Sequence, residues 1–557
     1  MNVMMGKKSV YVKRARLVKI VATIGLAFAF SARGATSSKP NIVWMFSDDH
    51  SFQTIGAYGG RLQSLNPTPN LDRVAEKGMR FDRCYVGNSI CAPSRATLLT
   101  GKHSHLHGKI DNHGGFNHDQ QQFQKILRNN GYQTAMIGKI HLDGKMQGFD
   151  HWEVLPGQGD YYQPSFVSEK GIYTEEGYVT DIITDKALKW LESERDKSKP
   201  FMVMIHHKAA HRSWMPAQRH VGMYENTFIP EPDSLFDDYA NRGVAAHEAT
   251  MTIRDEMKLE SDLKLYTPES WEKFEAEKKK MIAAGKPFPP AGGWEFGAYF
   301  RMTPEQRAVW DDAREASNQK ILEKGEAWLK TPDGVGWRYQ RYMKDYLGCI
   351  ASLDENIGRV LDYLAESGLD ENTIVMYSSD QGFYMGEHGW FDKRFMYEES
   401  FRAPLIAYWP GHTKPGSVNT DLVQNIDFAE TFLELAGAPV PEDMQGKSIV
   451  PLLLGETPKD WRKSLYYHYY EYPGIHTVRR HEGVFNGRWK LIRYYGAGVP
   501  DGEEWELFDL ENDPSEMTSI YGNPEHAAKI KELKKELERL KASYQVPDVP
   551  PPQRKKG

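Results

Sequence analysis

The chain has 557 residues, 40% of them hydrophobic and 26% charged, with a formal net charge of −6. That length accommodates one large core and a smaller domain, and the composition is that of a globular protein rather than a disordered or fibrous one. Three cysteines, Cys84, Cys91 and Cys349, exclude a disulfide scaffold, and the acidic balance argues against a nucleic-acid partner.

Residues 1–35 form a bipartite leader. Lys7, Lys8, Lys13, Arg14, Arg16 and Lys19 precede the apolar run Ile20–Phe30, which ends in the small-residue segment Ser31–Ala35. The run is too short to span a bilayer, so the leader reads as a secretory signal peptide, with an uncleaved anchor as the alternative. A periplasmic or secreted protein with no membrane span after cleavage is expected. Cleavage would remove seven positive charges and no negative ones, taking the net charge from −6 to −13. An anionic substrate would then need positive charge gathered locally.

Further along, short apolar runs end in polar residues. Asn41–Phe46 ends in Ser47-Asp48-Asp49-His50; Thr134–Ile137 ends in Gly138-Lys139-Ile140-His141; Phe201–Ile205 ends in His206-His207-Lys208 and, shortly after, His211; Thr373–Tyr377 ends in Ser378-Ser379-Asp380-Gln381. Nearly continuous apolar runs suit parallel strands buried on both faces. Helical patterns at Leu71–Lys77, Gln121–Asn129, Asp181–Glu194 and about Tyr339–Ser367 alternate with them. The alternation predicts an α/β domain with right-handed crossovers and a site beyond the carboxyl ends of the strands, where each polar cluster falls.

Residues from about 237 to 335 break this rhythm. They are charged, carry Lys278-Lys279-Lys280 and Pro287-Phe288-Pro289-Pro290, and offer helical but no clear strand patterns. This reads as an insertion on the α/β domain, bordering the cleft. The domain is placed at 36–456, followed by an α+β subdomain at 457–547. That subdomain is predicted from an aromatic stretch at Tyr466–Tyr472, strands at Gly483–Asn486, Trp489–Tyr494 and Glu504–Asp509, and a helix over Pro524–Tyr544. Ile530, Leu533, Leu537 and Leu540 make a stripe expected to pack on this small antiparallel sheet. The tail, 548–557, is expected to be disordered.

The chain is organised around Cys91-Ala92-Pro93-Ser94-Arg95, continuing to Gly101. Pro93 suits a first helical turn, which puts a thiol at a helix N-terminus with Arg95 about one turn on. Such a thiol is either an activated nucleophile facing an anion or a buried structural cysteine.

Cys-x-Pro-Ser-Arg followed by Leu-Thr-Gly resembles the signature of the type I sulfatases, of the alkaline phosphatase superfamily. The resemblance runs from Asn41 to the carboxyl-terminal sheet and implies a large, mixed, mostly parallel sheet sandwiched by helices. It further implies that a maturation enzyme oxidises Cys91 to formylglycine. In the family one hydroxyl of the hydrated aldehyde attacks sulfur, and the other later expels sulfate as the aldehyde re-forms.

Asp48, Asp49, Asp380 and Gln381 offer only oxygen, which suits a hard cation. Around Cys91 they resemble the sulfatase metal site, with Cys91 as formylglycine completing the shell and Gln381 standing where many members have Asn. Ca2+ is expected, ahead of Mg2+. If the strand continues past Lys139, its side chain shares a face with that of His141. By resemblance Lys139 binds sulfate oxygens, His141 bonds the diol, and Arg95 supports the nucleophile. His211 would be the general acid, with His206 and His207 as competitors, and Lys393 would contact sulfate and the bridging oxygen. His103, His105 and His107 alternate after the signature, a pattern read as closer to substrate binding than to zinc.

Motifs such as Gly157-Gln-Gly-Asp-Tyr161 and Tyr466-Tyr-His-Tyr-Tyr470 resemble bacterial carbohydrate sulfatases of the N-acetylglucosamine-6-sulfatase type. A sulfated carbohydrate is therefore the expected substrate. Asp392, Arg394, His476 and Arg479 are the candidates for binding it. Two alternatives stand beside this reading: a phosphonate or phosphodiester hydrolase of the same superfamily, and a secreted glycan-binding protein without catalysis.

Overall fold

The fold was obtained as a computed structural model that describes residues 39–286, 297–549 and 551. The leader, Pro287–Pro290 and most of the tail lie outside these residues. No helix among the described residues is long and apolar enough to cross a membrane.

Ten strands make the main sheet: β1 (Asn41–Ser47), β2 (Met79–Phe81), β3 (Gln133–Lys139), β4 (His151–Leu155), β5 (Ser165–Ser168), β6 (Gly171–Thr174), β7 (Phe201–His206), β8 (Thr373–Ser379), β9 (Leu405–Tyr408) and β10 (Ser417–Asn419). Their order is β10-β2-β9-β8-β1-β7-β3-β4-β5-β6. The centre, β8-β1-β7-β3-β4, is parallel throughout, and β9, β5 and β6 run antiparallel to their neighbours. All four apolar runs become central strands.

Their continuous hydrophobicity follows from burial on two faces. Val43 and Met45 of β1 pack with Tyr346, Leu347, Ile350 and Leu353, on the long helix Pro332–Glu366. Ile42, Trp44 and Phe46 face the other way, against Phe428 and Phe432 of the helix Phe428–Leu435. Period-two alternation thus survives, with both sides apolar. The long helix begins seven residues before the apolar pattern does. Thr331 caps it by accepting from the Gly334 amide at 3.3 Å, and Pro332 occupies its first turn.

The described part of the insertion includes helices over Pro268–Ala283 and Pro304–Lys324, with turns and loop before them. Its Ile253, Met257, Leu263 and Leu265 share a core with the long helix, so it is packed onto the α/β layers.

Four antiparallel strands follow in sequence order: β11 (Leu465–Tyr469), β12 (His481–Phe485), β13 (Trp489–Tyr495) and β14 (Glu503–Asp509). Leu533, Leu537 and Leu540 of the helix Ala527–Ser543 bury against Tyr466, Val484, Leu491 and Leu507 on one face. The stripe is this sheet's own cover. The other face carries Tyr467, Tyr469, Phe485 and Ile492, which pack with Tyr384, Trp390, Phe395 and Phe401. Residues from Lys39 onward form one compact unit. Cys84, Cys91 and Cys349 are all free and buried.

Candidate active site

Ser47 and Ser379 stand opposite each other where β1 and β8 end. Asp48-Asp49 and Asp380-Gln381 therefore leave the sheet side by side, and all four are fully buried. One carboxylate oxygen from each of Asp48, Asp49 and Asp380 lies within 4.8 Å of the others, and the same limit groups Asp48, Cys91 and His211. Asp48 Oδ1 and Gln381 Oε1 are buried with no hydrogen-bond partner. Orphaned acceptors beside three carboxylates are what a hard cation satisfies, so the residues fit one. The Gln381 amide donates to Asp49 and Asp380; exchanging its two ends would turn its oxygen toward the same centre.

Three cations oppose the three carboxylates. Lys393 Nζ is 2.6 Å from both oxygens of Asp49, and Lys139 Nζ bonds Asp48. Arg95 Nε is 3.0 Å from Asp380 Oδ2, and its Nη1 donates to the Lys139 carbonyl at 2.6 Å. Burial pushes Asp49 up to about 6 against the pull of Lys393. Burial also opposes the Asp380 charge, but Arg95, Lys139 and Lys393 outweigh it and hold that carboxyl low.

Cys91 opens the helix Cys91–Thr100, every residue of which is buried. The signature explains how this helix meets the carboxylates. Ser94 donates to the Asp380 carbonyl at 2.5 Å and accepts from Asn425 at 2.9 Å, while Arg95 grips the Asp380 side chain. Burial pushes the Cys91 thiol up to about 12, so it is uncharged at neutral pH. Asn112 accepts from the Ala92 amide at 3.1 Å and ties a second loop to this helix end.

β3 stops at Lys139, and His141 has a φ of +53°, so the shared-face expectation fails. A loop brings His141 in instead, and burial, with Lys139 and Arg95 nearby, pushes the imidazole well below its ordinary range. Gly138 lets the end of β3 lie close against β7: with φ at +106°, a Cβ there would fall 2.0 Å from the His206 carbonyl oxygen.

His211 Nε2 is 3.7 Å from Asp49 Oδ2, and its Nδ1 bonds the Arg212 carbonyl at 2.5 Å. Burial, with the fields of Lys139, Lys208 and Lys393, pushes it well below the histidine range. The His206 ring instead packs against Trp44 and Phe46, with centroids 5.2 and 4.8 Å away. His211 is thus the histidine of this segment that meets the carboxylates.

Asp392, Arg394 and His476 come together. Asp392 Oδ2 is 2.9 Å from His476 Nε2, and its Oδ1 bonds Arg394. All three are buried and hold positive φ, at +80°, +106° and +67°, a concentration of backbone strain that functional sites favour. Arg479 differs. Its guanidinium is taken by Glu248 of the insertion at 2.5 and 2.6 Å and by the Ala497 carbonyl at 2.5 Å. The insertion also holds the residue after His211, because Asp262 takes Arg212 at 2.6 and 2.7 Å. It borders the site as expected.

Sequence reasoning missed Gln158 and Lys208. Gln158 bonds Lys139 through its side chain and accepts from Lys208 through its carbonyl at 3.0 Å. Burial pushes Lys208 down to about 8. Both sit in quoted motifs, so the signal was present; Asn112 and Asn425 gave none. His103 and His105 pack on Tyr544, after the last helix, and His107 bonds Thr97, so they serve packing. They form no metal-ligating group among the described residues.

Two family models match the chain: "Sulfatase" over residues 40–438 and "N-sulphoglucosamine sulphohydrolase, C-terminal" over residues 386–543. The N-acetylglucosamine-6-O-sulfatase of Bacteroides thetaiotaomicron is 48% identical over 533 residues, covering 95% of this chain and 91% of the relative. A solved structure described as in complex with its substrate D-glucosamine-2-N,6-O-disulfate superposes with a TM-score of 0.84 at 48% identity, over 92% of this chain and 99% of that one. A phosphonate monoester hydrolase from Silicibacter pomeroyi shares the fold, at a TM-score of 0.63 and 19% identity over 90% of this chain and 95% of that one. With one family model spanning most of the chain and a relative identical at nearly half its positions, this protein belongs to the sulfatase family and is a sulfuric ester hydrolase.

Proposed function

We propose that this sulfatase removes the 6-O-sulfate from a terminal N-acetylglucosamine or N-sulfated glucosamine, working in the periplasm or outside the cell. The observation that carries the reading is the buried Asp392–Arg394–His476 cluster, joined through Lys393 to the carboxylates around Cys91. A carboxylate, a guanidinium and an imidazole together match adjacent sugar hydroxyls, which both donate and accept. The 48%-identical relative bears the name of a 6-O-sulfatase of this sugar, which points the same way.

Asp48, Asp49, Asp380 and Gln381 would hold the divalent cation, and calcium suits an all-oxygen set. The cation would polarise the nucleophile and a sulfate oxygen. Cys91, oxidised by a maturation enzyme, would supply the formylglycine diol as nucleophile. Charge balance supports Lys139 and Lys393 as the sulfate-binding pair. Each now neutralises a carboxylate; a dication at the carboxylates would free both ammonium groups for the monoanionic sulfate ester, leaving about one positive charge to balance an ionised diol nucleophile. Arg95 would hold the Asp380 loop to the nucleophile's helix, and His141 would bond the diol.

His211 would give its Nε2 proton to the leaving alkoxide, since Nδ1 is committed to the Arg212 carbonyl. The lysine fields that help depress its pKa would be cancelled by bound sulfate, which raises the protonated fraction when it is needed. A catalytic α/β domain at 36–456 and an α+β subdomain at 457–547 would close on the sugar from two sides.

The test is sulfate release from N-acetylglucosamine-6-sulfate, measured by ion chromatography beside mass spectrometry of the Cys91 peptide. Release, with formylglycine at position 91, is expected. A formylglycine-bearing enzyme that leaves this sugar intact while hydrolysing other sulfate esters would overturn the substrate assignment.

A further inference from the structure

The segment after β11 carries a carboxylate that the chemistry above does not use. Glu471 is 2% exposed, and its Oε2 meets no protein donor. Its Oε1 has His113 Nε2 at 3.7 Å, beyond hydrogen-bond reach. His113 follows Asn112, the residue tied to the N-terminal end of the Cys91 helix. Tyr469 Oη, Arg394 Nε and His476 Nδ1 are likewise buried without hydrogen-bond partners. Asp392, Tyr469, Glu471 and Cys91 all lie within electrostatic reach of Arg394, so these groups share one neighbourhood. The backbone makes room for the carboxylate. A Cβ on Gly474 would fall 2.7 Å from both Glu471 Cγ and Oε1.

A buried carboxylate oxygen with no donor is costly, and evolution retains such groups where a ligand completes them. We infer that Glu471 is a specificity residue that accepts a hydrogen bond from a ring hydroxyl of the bound sugar and turns away a second O-sulfate at that hydroxyl. This rests on the carbohydrate reading above. The acceptor has two empty lone-pair directions, which suits a neutral donor, and its negative charge repels an anionic substituent. Arg394 and Asp392 would grip one part of the ring and Glu471 another.

The experiment uses the mature, formylglycine-bearing enzyme with N-acetylglucosamine-6-sulfate, and with inorganic sulfate and N-acetylglucosamine as competing inhibitors. Glu471→Ala should lower kcat/KM for the sulfated sugar by about 10- to 100-fold and weaken inhibition by N-acetylglucosamine, while inhibition by inorganic sulfate stays unchanged. Gly474→Ala leaves a backbone geometry alanine can adopt and puts its Cβ against the Glu471 side chain, so it should show the same split. Glu471→Gln keeps an acceptor; it should recover most of the turnover and raise the relative rate on the 3,6- or 4,6-disulfated sugar about tenfold. If both inhibition constants move together, or if neither variant changes the sugar's, the assignment fails. A wild-type enzyme that neither binds nor hydrolyses the 6-sulfated sugar overturns the underlying reading instead.

Discussion

Lys393 holds both oxygens of Asp49 at 2.6 Å, in the place where a dication and a sulfate would meet. The pair would couple two jobs in one contact. Replacing Lys393 by Met removes a positive group that would stabilise charge developing on the ester oxygen, so kcat/KM should fall by about 100- to 1000-fold. The same change removes a competitor for Asp49, so calcium affinity by isothermal titration should hold or tighten. Weakened calcium binding would assign Lys393 to building the metal site instead.

Chelation should act on stability as well as turnover. Asp48, Asp49 and Asp380 are fully buried and crowded, and a bound dication would relieve their repulsion. At a free concentration of about 100 times Kd, one site contributes about 2.7 kcal/mol. EDTA should therefore lower Tm by several degrees and abolish sulfate release, with calcium restoring both more fully than magnesium. An unchanged Tm would show that Arg95, Lys139 and Lys393 already suffice for the fold.

The two candidate sugar-binding arginines should separate in their effect on turnover. Arg394→Ala removes a group in the Asp392–His476 cluster and should lower kcat/KM on the sulfated sugar by at least about tenfold; it also leaves the buried Asp392 carboxylate without its guanidinium, so it should cost about 3–5 kcal/mol in stability. Arg479→Ala breaks the pair with Glu248, so it should cost about 1–3 kcal/mol in stability and leave kcat nearly intact. A double-mutant cycle with Glu248→Ala should show coupling; additive effects would free Arg479 for a direct role.

A fourth expectation concerns pH. Glu430 is buried, takes the Gly446 amide at 2.6 Å on Oε1, and is pushed up to about 8 by burial. Its folded pKa lies above the unfolded value of about 4.3, so its contribution to stability is complete below that value and is lost as pH rises through about 8. Glu430→Gln does not titrate. Its stability relative to wild type should improve between pH 5 and pH 8 by on the order of 3 kcal/mol. A difference in Tm that is flat with pH would mean the carboxyl titrates normally.

Much of this site could be read from the chain because its parts fall at strand ends. Asp48-Asp49 and Asp380-Gln381 each follow an apolar run, and parallel pairing brings run ends together. Backbone exceptions were not legible. His141 enters through a positive φ that period-two reasoning cannot foresee, and the long helix starts where a Thr-Pro cap, rather than apolar spacing, dictates. Pairing across the insertion was equally hidden. Nothing near Arg479 announces that Glu248, some 230 residues earlier, occupies its guanidinium. Gln158 and Lys208 were in view as motif letters, but their role at Lys139 needed three dimensions.

The helix that begins at Cys91 has no exposed residue. An enzyme that oxidises this thiol would have to reach it before the chain folds, because the finished fold buries it completely. On the formylglycine reading, oxidation and folding would compete, and a chain that folded first would keep a buried thiol. Slowing the collapse of β1 and β8 around this segment would raise the active fraction without touching a single catalytic group.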